Sequence, residues 1–203
     1  MWEMMDASDG KDFREALRDR ARQDHVPIMQ EEGLAFLIHI LQSVKPHRLL
    51  EIGTAVGYSA ISMAQALPQL SICTLELSED RVRQARANIA RAGLARRIRV
   101  VHTDAGSYEP EGCYDFIFVD GPKGQYERHL DHFKPFLVTG GYVLFDNMEF
   151  HGMVDHPERT HNRHTKDLLR RIRRFHDHVR KRNDFEVHYY KNLGDGLLLL
   201  QKK

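Results

Sequence analysis

Cysteine is almost absent from this 203-residue chain, with Cys73 and Cys113 the only two. Both sit in apolar segments, which excludes a disulfide framework and fits reduced thiols in a cytoplasmic protein. The 13 His residues are scattered, and none joins a Cys at zinc-like spacing, so a zinc site is disfavoured and most are expected at the surface. Long apolar runs are missing too. None approaches the roughly 20 residues that cross a bilayer. Residues 1–12 are acidic and lack an apolar stretch, so no secretory signal is expected. There is no internal repeat, no low-complexity tract and no dividing linker. One domain over 1–203 is therefore expected, with N-terminal helices over 1–45 and an α/β core over 46–203. A net charge of one sign is also lacking, with 30 Lys and Arg against 29 Asp and Glu.

That balance hides an asymmetry. Residues 159–182 contain ten Lys/Arg and two Asp, a local charge of +8, so the remainder carries −7. Such a block is either a solvated helix face or a surface for an anionic partner.

What is present is an alternation of strand and helix, the rhythm of a parallel sheet. Helices are expected over 13–23 and 31–44, the second carrying Leu34, Leu37, Ile38 and Leu41 at helical spacing. Strands are expected over 48–52, 71–76, 98–102, 114–119 and 142–145. Between them lie helices over 58–67, 79–92 and 125–136. Ser78 is suited to cap the helix over 79–92 at its start, and Gly93 to close its end. In the basic segment, Leu168, Leu169, Ile172, Phe175 and Val179 define one packed face, leaving the arginines outward. Two last strands, 185–191 and 197–200, joined by Gly194-Asp195-Gly196, read as an antiparallel hairpin at the sheet edge. The expected fold is a Rossmann-like, doubly wound, seven-stranded sheet, mostly parallel, with helices on both faces.

The first strand runs into Glu51-Ile52-Gly53-Thr54-Ala55-Val56-Gly57-Tyr58-Ser59. A glycine turn there lets a ligand approach the backbone at the carboxyl edge of the sheet. It is neither G-x-G-x-x-G nor a P-loop, which disfavours a pyrophosphate cofactor. Glu76 ends the second strand, where nucleotide-binding folds hold ribose hydroxyls. Asp104 follows the third, placed to receive an adenine amino group. The fourth strand ends in Asp120-Gly121-Pro122-Lys123 and the fifth in Asp146-Asn147. Two carboxylates and an amide on neighbouring strand ends form a hard, incomplete oxygen shell suited to Mg²⁺ or Mn²⁺.

The E-I-G-T-x-x-G-Y-S loop followed by a strand-end Glu resembles the class I methyltransferases, and more narrowly the metal-dependent O-methyltransferases of the catechol O-methyltransferase type. The resemblance covers nearly the whole chain. It implies S-adenosylmethionine over the first two strands, held by the Gly53-Thr54 loop. Glu76 would then sit at the ribose, Asp104 and Ala105 around the adenine, and Glu51, Gly53 and Ser59 around the amino acid part. Met29 would lie beside the methionyl group, and Asp120 would touch both cofactor and metal. The resemblance repeats the Asp120, Asp146 and Asn147 set as metal ligands and places the catalytic base at Lys123.

The stretch 146–154, then Asn162-Arg163, the Arg-rich helix and the Gly-Asp-Gly-Leu close resemble bacterial tRNA 5-hydroxyuridine methyltransferases. This implies conversion of a wobble-position 5-hydroxyuridine to 5-methoxyuridine. The anticodon loop would be the partner, with Arg163, Arg170, Arg171, Arg173 and Arg174 facing RNA. Gly121-Pro122 departs from the Ala-Ala expected in that subgroup. Two alternatives stand beside it: an enzyme for small catechols or related vicinal diols, and a non-catalytic RNA-binding protein on a methyltransferase fold. A homodimer is the oligomeric state the resemblance suggests.

Overall fold

A computed structural model describes residues 10–203; the acidic stretch read over 1–12 lies largely outside them. Helices α1 (Gly10–Gln23) and α2 (Glu31–Val44) precede β1 (Arg48–Ile52). There follow α3 (Tyr58–Ala66), β2 (Ser71–Glu76), α4 (Glu79–Arg91), β3 (Ile98–His102) and β4 (Tyr114–Val119). The chain continues through α5 (Tyr126–Phe133), β5 (Leu137–Phe145), α6 (Arg163–Arg180), β6 (Phe185–Tyr190) and β7 (Leu197–Lys202).

The seven strands form one sheet in the order β3-β2-β1-β4-β5-β7-β6. The first five are parallel, and β7 runs antiparallel to both its neighbours. Apolar residues of α1 to α4, such as Leu17, Leu37, Ile61 and Ala85, pack on one face. Those of α5 and α6, including Leu130, Phe133, Leu169 and Phe175, pack on the other. A sheet covered on both sides needs continuous apolar central strands, and Leu49, Leu50, Phe116 and Phe118 are all fully buried. The order reverses between β1 and β4, and a crevice opens there at the carboxyl ends of the strands.

Ser78 caps α4 by accepting from the Arg81 amide, and Ala92 ends it before Gly93 at φ +70°. The closing hairpin lies at the sheet edge as expected, with β7 beside β5 and β6 outermost, and two other expectations are corrected. Leu197 to Leu200 are all buried, which requires a neighbour on each side, whereas β6 is half exposed and suits an edge. The helix read over 125–136 is α-helical only from Tyr126 to Phe133, because Pro135 lacks an amide donor and the chain closes in a short 3₁₀ turn. The fifth strand starts earlier than 142, at Leu137. Gly141 permits this, since a Cβ there would stand 2.9 Å from the carbonyl oxygens of Asp115 and Val138. Among the described residues no helix is long and apolar enough to cross a membrane.

Candidate active site

The turn after β1 is fastened to its neighbours by the backbone. The amides of Gly53 and Thr54 both donate to the Leu75 carbonyl, at 3.0 and 3.2 Å. The Ala55 amide donates to Glu76 Oε2 at 2.9 Å, while Glu76 Oε1 accepts from Leu77 and Ser78 at 3.0 Å each. Three amide donors hold this carboxylate in one orientation, with lone pairs left over for ribose hydroxyls. Gly53 has φ +99°, and a Cβ on it would lie 2.3 Å from the Asp120 carbonyl oxygen. Only glycine lets the ends of β1 and β4 come this close.

Between these strand ends lies a cavity of about 690 Å³. Gly53, Glu76, Asp104, Ala105, Asp120, Lys123 and Asn147 all line it. Asp104 also caps the short turn that follows it, accepting from the Gly106 amide at 2.7 Å. Met29, Glu51, Thr54, Ser59 and Asp146 are not on the wall but behind it. Met29 is buried in the core and packs on Gly33. Ser59 and Thr74 donate to Glu51 at 2.5 and 2.6 Å, and Thr54 meets Thr74 at 2.6 Å. These side chains brace the loop from below.

Burial pushes the Glu51 carboxyl up to about 7, against the two hydroxyl donors that favour its anion. The folded pKa is above the unfolded one, so stability is greatest below the unfolded value of 4.5 and is lost as pH rises to 7. Glu51→Gln lacks this loss. Urea unfolding at pH 5 and pH 8 should show the variant gaining about 2–3 kcal/mol on the wild type between the two. An unchanged gap would mean that Glu51 is ionised in the folded chain at both.

Strands β4 and β5 are in register with Val119 beside Phe145, so Asp120 and Asp146 leave the sheet side by side. The Asp120 amide donates to Ile52 O at 2.9 Å and the Asp146 amide to Val119 O at 3.1 Å. The Tyr126 hydroxyl donates to the Asp146 carbonyl at 2.6 Å, and the Asn147 amide to Asp146 Oδ1 at 2.6 Å. Asn147 takes φ +57°, a left-handed turn that Asn tolerates. Burial, and then the Asp146 charge, raise Asp120 well above the carboxylate range, with Lys123 opposing. Burial raises Asp146 to about 6 against the Asn147 amide and Lys123. Among the described residues, no three His, Cys, Asp or Glu side chains cluster as a metal site. The candidate set is two carboxylates and an amide, a partial shell whose buried negative charge a hard divalent cation would relieve.

Several cavity residues were not singled out in the sequence. His129 is buried, its Nδ1 has no partner, and burial lowers its pKa to about 4. It is the buried exception among histidines that lie mostly at the surface as expected, and no motif marked it. Asp195, Phe150, His151 and Gln30 also reach the wall. Asp195 Oδ1 accepts from the His151 amide at 2.5 Å, and its other oxygen is buried without a hydrogen bond, 3.7 Å from His151 Nδ1. Its only sequence signal is an acid set between two glycines.

The five candidate RNA contacts are exposed, but they do not share one face. Arg170 pairs with Asp167, Arg174 lies 3.9 Å from Glu127, and Arg171 runs beside Gly124. Arg171 and Arg174 thus lie on the α5 side of α6. Arg173 lies on the opposite flank and donates to the Val154 carbonyl, while Arg163 stands in the first helical turn.

A crevice at the reversal of a parallel sheet, with an amide-held Glu on β2 and acids ending β4 and β5, defines a nucleotide-type binding fold with a polar reaction end. The chain belongs to the O-methyltransferase family, whose model matches residues 5–203. It is 31% identical over 137 residues to a catechol O-methyltransferase from Mycobacterium tuberculosis, covering 66% of this chain and 62% of that one. It is 30% identical over 154 residues to caffeoyl-CoA O-methyltransferase 3 from Nicotiana tabacum, covering 68% and 62%. The match thus spans less than two thirds of the length of each of these relatives. Among solved structures, a candidate caffeoyl-CoA O-methyltransferase from Staphylococcus aureus superposes with a TM-score of 0.89 at 25% identity, covering 94% and 92% of the two chains. The Bacillus cereus O-methyltransferase in complex with SAH shares the fold, with a TM-score of 0.80 at 24% identity over 95% and 91%.

Proposed function

We propose that this chain is an S-adenosylmethionine-dependent and Mg²⁺-dependent O-methyltransferase acting on 5-hydroxyuridine at the tRNA wobble position. The observation that carries the reading is one continuous cavity. It has Glu76 and Asp104, with Asp120, Lys123 and Asn147, on one wall, and the cationic helix α6 packs against the 123–125 turn that lines it.

Glu76 receives the ribose hydroxyls and Asp104 the adenine amino group, while Gly53 admits the cofactor against bare backbone. Asp120, Asp146 and Asn147 would hold the metal. Mg²⁺, when bound, lowers the pKa of a hydroxyl that reaches it. Lys123 takes the proton from the substrate hydroxyl as its oxygen bonds to the methyl carbon and the carbon–sulfur bond breaks. Pro122 fixes the backbone between Asp120 and Lys123, which keeps ligand and base at a set separation. The substrate's 5-hydroxyl and 4-carbonyl form a vicinal oxygen pair, as a catechol does. A loop base can be splayed into a pocket without melting a duplex. The α6 cations supply the phosphate attraction that RNA needs.

A small catechol is the second reading, favoured by the name of the mycobacterial relative. Both are tested by methyl transfer from labelled cofactor, with Mg²⁺ or EDTA, to tRNA containing 5-hydroxyuridine and to catechol in parallel. Metal-dependent label in tRNA is the expected result. Label in catechol alone would overturn the RNA reading and keep the metal site.

A further inference from the structure

The reaction cavity does not end at its mouth. A second hollow of about 610 Å³ shares Gln30, His151 and Asp195 with it and is walled by residues 149–159 and 191–194. This hollow shares Glu149, Asp155 and Lys191 with a third, of about 410 Å³, which reaches Arg173, His176 and Arg180 on α6. The three share walls in series, a grooved run of hollows from the reaction end across the 149–159 segment to the inner flank of α6.

The backbone is bent to shape it. Phe150, His151 and Gly152 take φ of +46°, +59° and +71° in succession. Two adjacent left-handed non-glycine residues cost of order 1–3 kcal/mol each, and such strain concentrates where a binding segment must be re-aimed.

Three of the groove's acids already have partners. Glu149 accepts from the Tyr189 hydroxyl, and Asp195 accepts from the His151 amide. Asp155 is paired with Lys191, and Asp177 stands at the outer end. The remaining cations line the edges. The Arg159 guanidinium comes within 3.5 Å of where a Gly152 Cβ would stand, and Arg173 donates to the Val154 carbonyl. Arg159 and Arg180 make no ion pair within 4 Å among the described residues, although the Glu158 charge lies near Arg159. The arginines of the outer flank differ, because Arg170 and Arg174 each lean on an acid, Asp167 and Glu127.

We propose that this groove is the track for the phosphate-bearing arm of the substrate, with Arg159 and Arg180 as its phosphate contacts. The proposal rests on the RNA reading above, in which the arm is the sugar–phosphate backbone beside the splayed base. A coenzyme A ester, the substrate type in the names of several relatives, carries phosphates of the same chemistry. The outer-flank arginines steer the partner from a distance and do not touch it.

The test measures binding without turnover, by anisotropy of a labelled tRNA transcript with SAH present, across a salt series, and by calorimetry with coenzyme A. Arg159→Gln/Arg180→Gln is compared with Arg170→Gln/Arg174→Gln and the wild type. The SAH dissociation constant of each protein serves as the check on folding. The groove variant should lose about tenfold in tRNA affinity and flatten the salt dependence by roughly one to two charges, while the outer-flank variant loses under threefold. The reverse order, or a groove variant that binds like the wild type, would overturn the groove and leave the RNA reading standing. A wild type that ignores tRNA but binds coenzyme A, with that binding lost in the groove variant, supports the track and overturns the RNA reading. A wild type that binds neither overturns both.

Discussion

Asp146→Asn should abolish metal-dependent methyl transfer and, in the absence of metal, make the protein more stable. The two effects have one cause. Asp146 is 2% exposed, and burial holds its carboxyl up at about 6. At pH 7.5 the folded chain must keep it ionised beside Asp120, and the unfolded chain pays no such penalty. With the folded pKa raised from 3.8 to about 6, stability is lost as pH climbs through that window. The loss amounts to about 3 kcal/mol once both forms are ionised. Asparagine keeps the shape and can still accept from the Asn147 amide through Oδ1, so the turn pinned by the Tyr126 hydroxyl is preserved. It removes the charge that a divalent cation needs.

Turnover with Mg²⁺ should fall about a thousandfold or more, since the site loses its main electrostatic element. SAH binding should change little. In EDTA at pH 7.5, melting should shift upward by about 6–12 °C, and the shift should shrink to about half at pH 5 and vanish only below the unfolded value of 3.8, where the carboxyl is protonated in both states. Turnover with Mg²⁺ equal to that of the wild type would remove Asp146 from the metal set. A lower melting temperature in EDTA at pH 7.5 would show that its charge is satisfied inside the folded chain.

Much of this site was legible because a parallel sheet does the positioning. Once β1, β2, β3, β4 and β5 are recognised by their apolar runs, their carboxyl ends fall along one edge, and Glu76, Asp104, Asp120 and Asp146 follow. The same local reasoning separates poorly between a residue on the cavity wall and one behind it. Glu51 and Thr54 lie in or beside β1, but strand alternation and the Thr74 network carry their side chains to the far side of the loop. The remaining misses depend on contacts far apart in the chain. Asp195 reaches the cavity because β7 inserts beside β5, a pairing set by the double-sided burial of Leu197 to Leu200. His129 is buried because α5 packs beneath Gly121 and Asp104, which nothing within ten residues of it announces. The basic helix read as one outward face, and only its seating between α5 and the 149–155 segment divides the arginines into two flanks.

Gly53→Ala should be the most damaging single-methyl change in the cofactor loop. Two glycines in this turn have positive φ, Gly53 at +99° and Gly57 at +86°, so propensity alone ranks them as equals. Their surroundings do not. A Cβ on Gly57 would meet Ile89 and Ala85 side-chain atoms at 3.5 to 3.6 Å, ordinary contact. On Gly53 it would stand 2.3 Å from the Asp120 carbonyl oxygen and 2.9 Å from the carbonyl carbon. Backbone cannot rotate away as a side chain can, so β1 and β4 must separate at the point where Asp120 leaves the sheet. Gly57→Ala should therefore cost about 1–2 kcal/mol of conformational strain and leave SAH affinity within a few-fold. Gly53→Ala should cost roughly 3 kcal/mol or more and weaken SAH by about a hundredfold, because the displaced loop no longer presents Ala55 N–H to Glu76. Calorimetric titration of SAH and urea unfolding on both variants separate the two terms. Equal losses would mean that φ strain governs this loop, whereas a loss confined to Gly53→Ala identifies the close approach of β1 to Asp120 as the feature that holds cofactor and reaction ends of the cavity together.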